Sequence, residues 1–209
     1  MTMVILAGIG AAAAGTAVSV RWMKKREMWT KTTGTILVLY NLIVCIAGVW
    51  LMYQYGYHPL KITRYLVLLE ALILIAIEDR KYQIISNRIL AAMALVRMAL
   101  LAGEIACFPA YWNMILWSAF IGFAVGGGIF LLAFLLSRGG IGMGDVKLMA
   151  VQGFYLGSQT MISSLVLTMV FTIITGLSLV AVKKASLKAE LPFGPFVAAG
   201  TAVTLLLGF

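Results

Sequence analysis

Charged side chains are scarce in this sequence. Only 11% of the 209 residues are Asp, Glu, Lys or Arg, whereas 63% are hydrophobic, and the mean hydropathy is +1.04. A soluble domain carries about a quarter charged residues, and a chain this poor in charge cannot cover a surface that faces water. The composition therefore excludes a soluble globular enzyme and a disordered protein. It predicts a protein that crosses the membrane several times.

Cysteine and histidine are also scarce. The chain has two cysteines, Cys45 and Cys107, and one histidine, His58. These residues cannot form a CxxC pair or a zinc knuckle, so the sequence excludes a disulfide scaffold and predicts no metal site. The formal net charge is +9, but the basic residues lie between apolar segments rather than on a soluble face. We therefore expect no nucleic-acid partner.

Apolar runs recur along the whole chain. A run of about 20 apolar residues is long enough to cross roughly 30 Å of hydrocarbon. The sequence predicts an all-α transmembrane bundle with about eight spans, of which the sixth is short. They cover residues 3–20, 36–55, 65–78, 88–103, 114–136, 146–157, 161–182 and 193–209. The first run precedes a basic cluster, which is the reverse of a cleavable signal peptide, so it is predicted to be a retained helix.

The basic residues predict the orientation of the bundle. If the N-terminus lies outside and every span crosses, the only basic loop residues outside are Lys61 and Arg64. This arrangement obeys the positive-inside rule and favours a full crossing by the weak sixth span. The inside then holds Arg21, Lys24, Lys25, Arg26, Lys31, Arg80, Lys81, Arg88, Arg138, Lys147, Lys183, Lys184 and Lys188. The chain is predicted to form one domain, 1–209, with two N-terminal helices and a basic loop (21–35) in 1–64 and a core in 65–209.

Two features within the spans predict contacts between helices. Gly122 and Gly126 have the small-xxx-small spacing that lets helix backbones approach closely. Glu70 and Arg97 lie at similar depth in neighbouring antiparallel spans. Because a lone charge at that depth is costly, we expect these two side chains to form a structural pair.

The chain has only two aspartates, Asp79 and Asp145. The predicted topology places both at the cytoplasmic ends of spans, where a carboxylate usually has a function or a partner. Asp145 follows the glycine-rich segment 139–144, whose backbone can approach another chain closely. Each aspartate also has an ordinary interpretation, since Asp145 suits the start of a helix and Asp79 lies in a charged loop.

Together the two segments resemble the type IV prepilin peptidases, which are intramembrane aspartic proteases with a Gly-x-Gly-Asp motif. Residues 142–148 fit the family's Gly-x-Gly-Asp-Val-Lys-Leu string without a gap. Asp79 is followed at the sixth to eighth positions by Ile-Ser-Asn, where the family has Ile-Pro-Asn. A late Pro-Phe-Gly-Pro segment, 192–195, is a third similarity. The resemblance covers about residues 65–209.

The resemblance implies an endopeptidase that removes the basic leader of prepilin-like or pseudopilin proteins at the cytoplasmic face of the inner membrane. Asp79 and Asp145 would then be the catalytic residues. The lipid bilayer would be the other partner, and Glu78 and Glu190 are candidates for reading the charge of the leader. Residues expected to bind substrate or support the motifs are Gly142, Met143, Gly144, Lys147, Asn87 and Glu78.

The sequence departs from the family in one respect. Many bacterial members carry a zinc module with two CxxC pairs between their first two spans, and this chain has only the short loop 21–35 there. We therefore expect no cofactor for proteolysis, and S-adenosylmethionine only if N-methyltransferase activity is retained. Two other functions fit the residues: a transporter that binds an ion or proton on the two aspartates, and a non-catalytic scaffold of pilus assembly.

Overall fold

The computed structural model describes residues 2–43, 47–137, 140–182 and 191–208. Within these ranges the chain is almost entirely α-helical and contains no strand, which confirms the predicted all-α class. Cys45, Gly139, Glu190 and several predicted inside basic residues (138, 183, 184 and 188) lie outside the described residues. The helices are α1 (Thr2–Lys25), α2 (Lys31–Ile43), α3 (Val49–Gln54), α4 (Pro59–Tyr82), α5 (Asn87–Cys107), α6 (Trp112–Leu136), α7 (Met143–Leu156), α8 (Ser158–Ala181) and α9 (Gly194–Leu207).

The helices follow the apolar runs of the sequence. The described residues of the run at 36–55 include part of α2 and all of α3, and α4 extends beyond the run at 65–78 in both directions. Among the described helices, three stretches are long and apolar enough to cross a membrane, namely α5, 109–136 and α8, and α9 is a shorter apolar helix. The apolar composition of the bundle matches the environment that the sequence predicts.

Helix α4 is the centre of the bundle, because it packs against α1, α5, α7 and α9. Its fully buried side chains include Leu66, Leu68, Leu72 and Ile75. The helix ends at Tyr82 because the next residue, at position 83, takes a left-handed conformation with φ 52°. The chain then turns and starts α5 four residues later. Asp79 therefore lies in the last turn of the most enclosed helix.

Close backbone contact between α6 and α7 depends on glycine. A Cβ atom on Gly122 would overlap the carbonyl oxygen of Gly153, and a Cβ on Gly153 would overlap that of Gly122. Gly126 approaches the carbonyl oxygen of Met149 in the same way, so the predicted small-residue packing is confirmed. The pairing order shows that α7 runs antiparallel to α6. Its last turn lies beside Ser118 of α6, so α7 runs from one end of the bundle towards the other.

The predicted pair of Glu70 and Arg97 is wrong. Arg97 donates from Nη1 to Glu104 Oε2 at 3.1 Å and from Nε to the carbonyl oxygen of Phe154 at 2.9 Å. Arg64 donates to the same Glu104 carboxylate at 3.0 Å. Glu104 lies two helical turns after Arg97 on the same face of α5, so the long arginine side chain extends along its own helix instead of across to α4.

Glu70 has no hydrogen-bond partner among the described residues for either carboxylate oxygen, although only 5% of the residue is exposed. Its side chain packs against Gly15 of α1. A buried polar group without a partner costs about 1–3 kcal/mol. Of these two buried acids, Glu104 therefore stabilises two arginines, whereas Glu70 stabilises none.

Replacing each of these two acids with a neutral residue should change the stability of the fold, in opposite directions. Glu70→Leu is expected to raise the apparent melting temperature in detergent, since it removes an unpartnered carboxyl and keeps a similar volume. Glu104→Gln is expected to lower stability by about 3–5 kcal/mol, because it leaves buried guanidinium groups without a counter-charge. Thermal unfolding followed by tryptophan fluorescence checks both, and equal shifts of the two variants would contradict this account.

Candidate active site

Four helix ends meet where the two aspartates lie. They are the C-terminal end of α4 and the N-terminal ends of α5, α7 and α9. Asp79 and Asp145 are 66 positions apart along the chain, yet the negative charge of Asp79 acts on Asp145 in the folded protein. The fold therefore brings the two predicted catalytic residues into one electrostatic site.

Asp79 is held by the start of α9. Its carboxylate Oδ2 accepts a hydrogen bond from the backbone N–H of Gly194 at 2.7 Å, and the residue is only 5% exposed. A Cβ atom on Gly194 would lie 3.1 Å from both Cβ and Oδ2 of Asp79, so glycine allows the approach. The N-terminal end of a helix also carries a partial positive charge that favours a carboxylate. This partner was not predicted, although the Pro-Phe-Gly-Pro segment that contains it was noted as a family similarity.

Asp145 lies in the first turn of α7. Its Oδ2 accepts a hydrogen bond from the backbone N–H of Gly142 at 3.3 Å, and this contact closes the glycine-rich turn before the helix. The side chain is partly exposed, unlike that of Asp79. Both aspartates are thus positioned by backbone N–H groups of glycine, one from within its own motif and the other from a distant helix.

Both carboxyls hold a proton more tightly than an ordinary aspartate does. Burial raises the pKa of Asp145 to about 6, the Gly142 N–H acts against this rise, and the charge of Asp79 adds to it. Burial also raises the pKa of Asp79, while the N–H groups of Gly194 and Phe193 lower it. Two nearby carboxyls that resist ionisation favour a state in which the pair holds a single proton.

The two predicted motifs are in direct contact. Gly144 packs against Ile85, since a Cβ on this glycine would lie 3.2 Å from the Cβ of Ile85. Lys147 Nζ donates to Asn87 Oδ1 at 3.1 Å. These contacts join the first turn of α7 to the start of α5, next to the end of α4. Gly144, Lys147 and Asn87 therefore set the position of Asp145 relative to Asp79.

The remaining predicted site residues differ in how exposed they are. Gly142 and Met143 are exposed at the start of α7. Glu78 is buried, with 3% of the residue exposed, and its carboxylate lies 4.0 Å from Nη2 of Arg26. This placement gives Glu78 a partner within the chain, and its buried side chain is not exposed to read the charge of a leader.

The fold and the site together define a helical membrane protein with two interacting aspartates at one end of its bundle. The chain belongs to the type IV leader peptidase family, whose model matches residues 66–177. The match lies within the predicted core, 65–209, and contains both aspartates. The resemblance noted in the sequence is therefore confirmed.

Curated relatives carry the name prepilin leader peptidase/N-methyltransferase. The protein of Bacillus subtilis (strain 168) is 30% identical over 143 residues, which cover 68% of this chain and 54% of the relative. That of Stutzerimonas stutzeri is 23% identical over 193 residues, or 90% of this chain and 65% of the relative. That of Burkholderia pseudomallei (strain 1026b) is 41% identical over 93 residues, or 41% of this chain and 29% of the relative. The chain thus spans less than two thirds of the length of these relatives, and no solved structure matches it significantly.

Proposed function

We propose that this chain is an aspartic endopeptidase that removes the basic leader from prepilin-like or pseudopilin precursors. The juxtaposition of Asp79 and Asp145 is the observation that supports the proposal most strongly. The names of the curated relatives supply the substrate class. The predicted topology puts the site at the cytoplasmic face of the inner membrane, where a leader precedes a membrane-spanning substrate helix.

Peptide hydrolysis needs a base that activates water and an acid that protonates the leaving amine. Two carboxyls that share one proton supply both, because the ionised member takes a proton from water while the protonated member donates one to the substrate. The raised pKa of Asp145 is compatible with this division at near-neutral pH. In the proposed reaction, water attacks the carbonyl carbon between the two side chains, the C–N bond breaks, and the new amine receives the proton.

The glycine turn before α7 is suited to an extended substrate. A helical peptide has its amides satisfied internally and resists attack, so the cleaved bond must first be unwound. The backbone N–H groups of Met143 and Gly144 open α7 and have no partner within the helix, so they can pair with an unwound strand, and the exposed Met143 side chain offers it an apolar contact. Pairing of this kind between an extended peptide and free backbone is a general recognition mode.

Proteolysis in this proposal uses no cofactor. The connection between α1 and α2 has only the five residues 26–30, so it holds no module of the kind that many bacterial members insert there. We accordingly propose that the chain cleaves its substrate without methylating it, although the names of its relatives include a methyltransferase. S-adenosylmethionine would be required only if methylation were retained.

Co-expression with a prepilin-like substrate tests the function. We expect a shortened product whose new N-terminus follows a glycine and whose mass carries no added methyl group. Sequencing and weighing the product separate the two activities in one experiment. An intact substrate beside a membrane-inserted, folded chain would contradict the peptidase, and normal pilus assembly without cleavage would instead support a scaffold.

A further inference from the structure

A pocket lies at the end of the bundle opposite the two aspartates, with a volume of about 310 Å³. Its wall is formed by the start of α4, the end of α5, the start of α6 and the turn between α7 and α8. The proposed peptidase reaction does not involve this end of the molecule. The polar residues that line the pocket are His58, Lys61, Arg64, Arg97, Glu104 and Ser118.

The pocket carries more positive than negative charge. Lys61, Arg64 and Arg97 face it, and Glu104 is the one acid among the described residues of its wall. Glu104 forms ion pairs with both arginines at 3.0 and 3.1 Å, so one carboxylate is shared by two guanidinium groups. Arg97 is only 1% exposed, and the buried Nε of Arg64 has no hydrogen-bond partner among the described residues. The wall of the pocket therefore carries an excess of positive charge, which favours an anion.

Lys61 adds a cation that no acid in the pocket wall neutralises. Its ammonium lies 3.6 Å from the ring centroid of Tyr57, an interaction that orients the side chain and leaves its charge in place. Compact ammonium and planar guanidinium groups are the side chains that bind phosphate oxygens most often.

Helix dipoles also favour an anion in this pocket. Helices α4, α6 and α8 all begin at this end, with first residues Pro59, Trp112 and Ser158. The backbone N–H of Ser158 donates a hydrogen bond to Oγ of Ser118 in the pocket wall at 3.4 Å. The positive ends of the helices thus act together with the three basic side chains, and an anion is favoured there.

We propose that this pocket binds a phosphate group, and that the headgroup of an anionic phospholipid in the outer leaflet supplies it. Exposed aromatic side chains mark the same end of the bundle, since Tyr111, Trp112 and Trp117 are each more than half exposed. Such rings are typical of the level at which lipid headgroups lie. The proposal is independent of the peptidase function, because it concerns the opposite end of the molecule.

Native mass spectrometry of the delipidated full chain in a non-ionic detergent tests the site. We expect wild-type protein to bind one phosphatidylglycerol more tightly than phosphatidylcholine, because the pocket has excess positive charge. Lys61→Met is expected to weaken binding of that phosphatidylglycerol about tenfold, as the loss of one charged contact predicts. Lys31→Met removes an exposed lysine at the other end of the bundle and is expected to leave binding unchanged.

Added inorganic phosphate distinguishes the two sources of the group. Competition by inorganic phosphate for the bound phosphatidylglycerol supports a phosphate site, and tighter binding of phosphate than of lipid would identify the free ion as the ligand. Equal binding of the two lipids by the wild-type chain, without competition by phosphate, would overturn the proposal without recourse to any variant. A loss in Lys61→Met no larger than that in Lys31→Met would also overturn it.

Discussion

Asp79→Asn and Asp145→Asn variants are each expected to accumulate in the membrane at wild-type levels and to leave a prepilin-like substrate uncleaved. An amide neither accepts a proton from water nor donates one to the leaving amine, and general acid–base catalysis contributes about 10²–10⁴-fold to a rate. Because the two carboxyls act as a unit, the double variant is expected to be no worse than either single one. Substrate and product resolved on a gel after co-expression measure the effect.

Glu27→Gln is the matched control for this experiment. It removes an exposed acid on the turn after α1 and leaves the contacts of both aspartates in place. We expect cleavage at the wild-type rate. This result would show that loss of an acidic charge alone does not explain the loss of cleavage in the two aspartate variants. Continued cleavage by the folded Asp145→Asn variant would rule out the proposed dyad.

Gly122→Ala is expected to destabilise the fold strongly, because it disrupts the contact between α6 and α7. The new Cβ would overlap the carbonyl oxygen of Gly153 and lie 2.8–2.9 Å from backbone atoms of Gly157, so neither neighbour can move as a flexible side chain does. Relief requires a shift of α7 against α6, and we expect a loss of about 3 kcal/mol or more. Because α7 carries Asp145, cleavage should fall together with stability.

Gly128→Ala is the control on the same helix. A Cβ atom at position 128 has no neighbour within 4 Å, and alanine is the stronger helix former. We therefore expect an apparent melting temperature equal to or above that of the wild type. Equal melting temperatures for Gly122→Ala and Gly128→Ala would show that α6 and α7 do not pack as the structure describes.

The sequence predicts the helices well, and it also identifies the two aspartates as candidate site residues. Apolar runs locate helices because each span must satisfy its backbone polar groups internally, whatever its neighbours are. Asp145 and its glycines form a contiguous motif, so a local pattern identifies them. Asp79 required the family resemblance, since its own segment also fits a solvated loop.

The partners of the buried charged residues could not be predicted in the same way. Depth along the membrane suggested that Arg97 pairs with Glu70, but depth does not specify which face of a helix a side chain occupies. The structure pairs Arg97 with Glu104 on its own helix. The contact of Asp79 with Gly194 joins residues 115 positions apart, and such contacts depend on how α4 and α9 pack.

In this structure the only two aspartates of the chain form one electrostatic site, and selective labelling tests this directly. Cell-free synthesis with aspartate that carries ¹³C at the side-chain carboxyl gives one signal each for Asp79 and Asp145, because the sequence contains no other aspartate. We predict that Asp145 titrates with a pKa of about 6 in the wild type. Its pKa should be lower in Asp79→Asn, since removal of a neighbouring negative charge eases ionisation, and should not change in Glu27→Gln. An Asp145 titration that is the same with and without the Asp79 carboxyl would contradict the account.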